Sequence, residues 1–329
     1  MKIALLGYYG FQNLGDEAIL GVLLRKLPDY IQGADITVFD NPHYIHERKP
    51  RAGVRYVSRK NLFTVFSALL HSEVLIVGGG GILQDVTSRR SLYYYLTVIS
   101  LAKMLGKKVI LLAQGIGPLR GGFGKHWLQS ALHGVEGITC RDKASINLLA
   151  SLGITRVGRH DFVPKLTADL AYLTEPVSLL TLSSLGVKPG HKAIGLIWRF
   201  VKGFDYKAAL KIVKKLAHSK DPICCVLLPF QPIDKKLYNM VRQHIPVRSV
   251  VLRQDVRPGQ MLELIQHLDG VIAMRYHGLV FARLAEIPYE GLVYDPKVEA
   301  FLKDKRSIKE FKDAAEDNFT ILQEILMGW

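Results

Sequence analysis

A chain of 329 residues is too long for one small core, so two domains are expected. With 49% hydrophobic and 22% charged residues it is a globular chain and not a disordered one. A net charge of +15 points to anionic partners: phosphorylated metabolites, nucleic acid or an anionic membrane face.

The amino terminus has a positive residue and a short apolar run that Gly7 ends, too short for the core of a signal peptide. It reads as a first buried strand. No run reaches the length of about eighteen apolar residues that a membrane span needs. The nearest, Leu62 to Leu83, is broken by His71-Ser72-Glu73 into a helix and a strand. Strand-like runs at 2–6, 35–39, 74–77, 108–113 and 137–140 alternate with helical patterns at 16–27, 62–70, 91–105, 126–132 and 143–152. That rhythm predicts a parallel sheet with helices on both faces. The stretch 174–192, with Pro176, Ser183, Ser184 and Pro189, reads as a linker. A second series follows at 193–198, 222–228, 249–252 and 270–274, and a last helical segment covers 309–327. Cys140, Cys224 and Cys225 lie in strand-like runs and read as buried thiols in a reducing compartment. The expected fold is α/β: two Rossmann-like domains facing across a cleft. The N-terminal domain takes 1–173, the linker 174–192 and the C-terminal domain 193–305. The helix at 306–329 is expected to pack back on the first domain.

The chemistry gathers at strand ends. Gly7-Tyr8-Tyr9-Gly10-Phe11-Gln12-Asn13-Leu14-Gly15-Asp16-Glu17 allows a tight turn, but its glycines do not have the dinucleotide spacing, which disfavours nicotinamide or flavin. Asp16 reads either as a helix N-cap or, with Glu17, as a carboxylate that binds sugar hydroxyls or acts as a base. Gly78-Gly79-Gly80-Gly81, followed by Gln84-Asp85, offers bared backbone amides to a phosphate or sugar oxygen, or else close backbone packing. Gln114-Gly115-Ile116-Gly117-Pro118 and Arg141-Asp142 stand after the next two strands. Four polar or glycine-rich strand ends in a row suit a ligand-lining edge. Arg275-Tyr276-His277-Gly278 lies between an apolar strand and a helix. A short strand at 290–294 then brings Tyr294-Asp295-Pro296-Lys297 to the same edge. An arginine, a histidine and a lysine converging there make an anion site with a titratable group in it.

Taken in order, these six motifs resemble the polysaccharide pyruvyl transferase family, and within it the CsaB type, which acts on cell-wall polymers that anchor surface-layer proteins. The resemblance runs from Met1 to about Phe301 and departs at Glu286, where the family leads one to expect glycine. It implies a fold like that of glycosyltransferase B (GT-B). It also implies phosphoenolpyruvate as donor, and a cyclic pyruvate ketal on a sugar, an N-acetylmannosamine-type unit that is lipid-linked, as product. Arg275, Lys297 and Arg141, with His277, are the candidate donor ligands, and His277 is the candidate general acid because its ordinary pKa lies near working pH. Asp16 or Glu17 is the candidate base. Asn13, Asp16, Gly79, Gly80, Gln84 and Gln114 are the candidate acceptor contacts, on the N-terminal domain. No cofactor or metal is expected, since no clustered ligand spacing occurs. His160 and the remaining histidines read as surface or helix-face residues.

Two other classes stay open. A glycosyltransferase using a nucleotide sugar would share the fold, and a nucleic-acid binder would suit the charge. The basic residues are dispersed and form no known nucleic-acid module, so no nucleic-acid partner is expected. The helix around Tyr93-Tyr94-Tyr95 reads as a Rossmann helix with a large apolar face, or as one docking on anionic lipid at the cytoplasmic face of the membrane.

Overall fold

The computed structural model describes residues 1–158, 161–178, 181–201 and 206–328. His160, the linker residues Leu179 and Leu180, and Trp329 lie outside the described residues. The chain forms two compact units. The first comprises Met1–Phe11, Ile19–Leu173 and the segment from Lys309 onward; the second comprises Gln12–Ala18 and Thr174–Ile308.

Elements of the first unit alternate as the pattern requires: β1 (Lys2–Leu6), α1 (Leu14–Tyr30), β2 (Asp35–Asp40), β3 (Val54–Ser58), α2 (Leu62–Leu70), β4 (Val74–Leu83), α3 (Arg89–Met104), β5 (Lys108–Ile116), α4 (Gly122–Leu132), β6 (Gly137–Cys140), α5 (Lys143–Ser151) and β7 (Lys165–Leu166). The strands pair in parallel in the order β3-β2-β1-β4-β5-β6-β7. Ile3, Ala4, Leu5 and Leu6 are buried on both faces of the sheet, as a central parallel strand demands. On one face, Val65 and Leu69 of α2 join Leu92, Tyr95, Leu96 and Ile99 of α3 and Leu128 and Leu132 of α4 in a single core over Leu6, Val77 and Leu111. The terminal helix α11 (Ile308–Met327) supplies further cover to this unit: Phe319 stacks on Tyr30 and Phe311 on Tyr172, at centroid distances of 5.5 and 4.4 Å. Its Asn318 is fully buried and accepts hydrogen bonds from the Thr139 and Thr167 hydroxyls.

The second unit repeats the plan with β8 (Lys192–Ile197), α6 (Lys207–Leu216), β9 (Ile223–Leu227), α7 (Pro232–Val241), β10 (Arg248–Val251), α8 (Pro258–Gln266), β11 (Gly270–Ala273), α9 (Tyr276–Leu284), β12 (Tyr289–Gly291) and α10 (Pro296–Lys303). The helix α11 (Ile308–Met327) then completes the chain. Its parallel order is β10-β9-β8-β11-β12. Each sheet reverses direction once, between β1 and β4 and between β8 and β11. Ligands of open α/β sheets bind outside the carboxyl ends of strands at such reversals.

The structure differs from the sequence reading at β3, at the glycines 78–81, and at β12, which covers Tyr289–Gly291 and not 290–294. Edge strand β3 was not expected there, because Arg55 and Ser58 dilute its apolar signal. The glycines 78–81 continue β4 beyond the expected end at Val77, with Gly78 beside Leu112 and Gly80 beside Gln114. Gly79 and Gly80 take φ of +66° and +82°, which bends the strand without ending it. Glu286 occupies the left-handed position after α9 at φ +56°. There its N–H bonds Arg283 O and the Ile287 N–H bonds Ala282 O, the bond pattern of a glycine-terminated helix.

Candidate active site

In the second unit, β11 delivers Arg275 to the carboxyl edge as the residue that caps α9. Its Nε donates to Asp234 Oδ2 at 2.8 Å, while Nη2 donates to Asp234 Oδ1 at 2.6 Å and to Gln231 Oε1 at 2.9 Å. Asp234 is fully buried and also accepts the Phe230 and Gln231 backbone N–H groups on Oδ2, at 3.1 and 2.9 Å. The start of α7 thus clamps the guanidinium in one plane, a two-pronged charge-assisted contact. Among the described residues, Arg275 Nη1 has no acceptor.

Across the reversal, Arg199 follows β8 and donates from Nη1 to the Tyr294 hydroxyl at 3.2 Å. Burial disfavours its charge, yet Tyr294, Asp234 and Asp295 outweigh that and raise its pKa. Lys297 lies half-buried in the first turn of α10, where its backbone N–H donates to the capping Asp295 at 2.9 Å. His277 lies half-buried in the first turn of α9 with its ring edge-on to Tyr276, at 5.2 Å between centroids.

The start of α1 belongs to this same unit. Leu14 N donates to Phe230 O at 3.0 Å, and a Cβ placed on Gly15 would lie 1.9 Å from His277 Nδ1. Gly15 is therefore glycine because an imidazole rests where its side chain would be. Asn13, and not Asp16, caps the helix: its Oδ1 accepts Gly15 N at 3.2 Å and its backbone O accepts Glu17 N at 2.9 Å. The sequence reading placed Asn13, Asp16 and Glu17 on the N-terminal domain; the structure brings them together with His277 and Arg275. Asp16 is buried in the first turn of α1 and stands among the ionisable groups of this unit.

In the first unit the expected residues behave differently. The Gly78 carbonyl accepts the Tyr9 hydroxyl at 2.8 Å, and a Cβ on Gly79 would meet Ile19 at 3.0 Å, so these two glycines serve close packing. Gln84 is half-buried and accepts Thr87 N at 2.9 Å. Gln114 is fully buried, with Nε2 donating to Val77 O at 2.9 Å and Leu112 O at 3.2 Å. Arg141 is buried, donates to Asp169 at 2.6 Å, and packs beneath Gly115, where a Cβ would approach its guanidinium to 2.8 Å. Asp85 accepts the Arg120 and Gly121 N–H groups at 2.8 and 3.0 Å. Burial pushes its pKa up, but those two bonds and the charge of Arg89 outweigh it and hold the carboxyl below the ordinary range.

Three residues were not anticipated from sequence: Asp234, Arg199 and Arg59. Arg199 stands at the end of a strand that was read correctly, so its position was an available signal. Arg59 follows the overlooked β3; it is buried, donates to Gly7 O at 3.0 Å, and lies 4.4 Å from the Tyr94 ring and 5.2 Å from the Phe11 ring. Among the described residues no group of three or more His, Cys, Asp or Glu side chains could hold a metal ion.

Comparison with known proteins gives a family and a fold. The polysaccharide pyruvyl transferase family matches residues 13–296. No curated protein matches the chain. Among solved structures, a UDP-GlcNAc 2-epimerase from Methanocaldococcus jannaschii superposes with TM-score 0.58 at 13% identity, covering all of both chains. A putative UDP-N-acetylglucosamine 2-epimerase from Listeria monocytogenes gives 0.62 at 10% identity, over 100% of this chain and 88% of that one. Anabaena HepE, solved with UDP-glucose, gives 0.52 at 15% identity, over 99% and 96%. Such low identities speak for the fold alone: α/β with two parallel sheets, as in GT-B enzymes. The chain belongs to the polysaccharide pyruvyl transferase family.

Proposed function

We propose that this family member transfers pyruvate from phosphoenolpyruvate to a sugar as a cyclic ketal with release of phosphate. We infer further that it is of the CsaB type. Its acceptor is then a lipid-linked N-acetylmannosamine-type unit of a secondary cell-wall polymer that anchors surface-layer proteins, met at the cytoplasmic face of the membrane. The observation that carries the reading is the edge of the second sheet, where Arg199 and Arg275 end the two strands at the reversal and His277 follows against the start of α1.

The donor bears a carboxylate and a phosphate, and Arg199, Arg275 and Lys297 supply the cations for them. Because Asp234 already immobilises Arg275, an oxyanion on Nη1 meets a preordered donor and loses little entropy on binding. His277 gives a proton to the donor's methylene carbon, which leaves cationic character on the adjacent carbon. One sugar hydroxyl attacks that carbon and its proton passes to Asp16 or Glu17. The carbon–oxygen bond to phosphate then breaks, the second hydroxyl closes the ring, and its proton leaves with phosphate.

The test is incubation with phosphoenolpyruvate and a panel of lipid-linked and synthetic disaccharides. Phosphate release together with a mass gain equal to a pyruvate ketal is the expected result. Transfer of a sugar from UDP-glucose, with neither of those, would instead make the chain a glycosyltransferase.

A further inference from the structure

The helices α2, α3 and α4 cover one face of the first sheet through a shared core. Not one Asp or Glu occurs in any of them, while Arg89, Arg90, Lys103 and Lys125 do. α2 is apolar nearly all round. Val65 and Leu69 face the core, yet Leu62 is 70%, Phe63 88%, Phe66 41% and Leu70 45% exposed. Residues 62, 66 and 70 recur every fourth position with 63 beside them, so they form one stripe. A helix apolar on all sides is ordinarily buried; this one leaves a face uncovered. Met104 at the end of α3 and Phe123 on α4 add 83% and 67% exposed apolar side chains to the same layer. Lys60 and His71 flank α2, and Lys107 Nζ holds the Leu70 carbonyl at 2.8 Å. Glu73, which follows α2, already accepts the Lys2 backbone N–H, and Asp85 accepts the Arg120 and Gly121 N–H groups at the start of α4. In contrast α11 carries Glu310, Asp313, Glu316, Asp317 and Glu324.

We propose that the α2–α4 layer is the surface by which the protein docks on an anionic phospholipid bilayer, with the Leu62-Phe63-Phe66-Leu70 stripe entering the headgroup–acyl boundary. An acid-free apolar layer rimmed by arginine and lysine matches that boundary in both polarity and charge. The Tyr93–Tyr95 run is not the inserting element: Tyr95 is buried, and Tyr93 packs on Phe123 and Trp127 at 5.7 and 5.3 Å. Attraction to the basic rim acts only within a Debye length, about 10 Å at 0.1 M salt, so it brings the stripe in and the apolar contact retains it.

The proposal deepens the membrane-visiting part of the reading above and rests on it. Its test needs neither donor nor acceptor, so ketal formation and docking can fail separately. The full chain is floated with phosphatidylcholine vesicles with and without phosphatidylglycerol, at rising salt. Native protein is expected to float with the anionic vesicles and less so as salt rises. Leu62→Glu/Phe63→Glu is expected to weaken partitioning about tenfold or more. Arg90→Glu/Lys125→Glu should weaken it too, while Lys309→Glu/Lys312→Glu, an equal charge change on α11, should not. All the substituted side chains are exposed, so melting temperatures should stay native. Native protein that stays unbound overturns the proposal, as do stripe variants that float like native. Equal loss in the α11 variant replaces a docking face with diffuse attraction. A native dimer that Phe63→Glu converts to a monomer, without vesicle binding, makes the stripe a self-interface instead.

Discussion

His277 and Gly15 form a pair in which a missing side chain sets the place of a reactive one. His277→Ala should lower turnover about 10²–10⁴-fold, the usual worth of a general acid. Gly15→Ala gives a sharper test. Its new methyl would sit 1.9 Å from His277 Nδ1 and meets the ring and not backbone, so the imidazole must swing away while the fold survives. Turnover in Gly15→Ala should fall toward that of His277→Ala, with an unchanged circular dichroism spectrum. Near-native turnover in Gly15→Ala would show that the contact does not set the ring's position. This pairing could not be read from sequence, because residues 15 and 277 are neighbours only after two chain segments fold into one unit. Arg275 was legible from its strand end, but its clamp by Asp234 was not, since nothing in the run from Gln231 to Asp234 signals a partner 41 residues away.

At the scale of elements, the end of α9 shows a sequence departure with a structural cost. The left-handed position after a helix is open to glycine without penalty, whereas a side chain there crowds its own carbonyl. Glu286 sits at φ +56° in that position. Glu286→Gly should therefore raise stability by about 1 kcal/mol, read as a shift in the urea midpoint at constant slope. No gain, or a loss, would mean that the Glu286 side chain makes compensating contacts. The strands β4 and β5 carry the complementary lesson. Their apolar cores at 74–77 and 108–113 were legible, but their continuation to Leu83 and Ile116 was not. Glycine marks a break in a pattern-based reading, yet here Gly79 and Gly80 bend a strand that neighbouring β5 keeps paired.

For the whole molecule, family and fold point to a donor question that one measurement can divide. Phosphoenolpyruvate should raise the melting temperature, as a ligand that binds only the folded state does, and UDP-glucose should not. Arg199→Ala should remove most of that shift; stabilisation by UDP-glucose alone would favour a sugar transferase. The alternation of strand and helix, the reversal-point motifs and the excess of positive charge were all determined by the sequence itself. They depend on local periodicity and composition, which any folded form of this chain must respect. Only tertiary structure decided that the start of α1 joins the second unit and that Gln114 and Arg141 are buried in the first. The same holds for the acid-free helices, which line one face of one sheet. Those outcomes depend on which distant segments pack together, and side-chain chemistry along the chain carries no record of that partner.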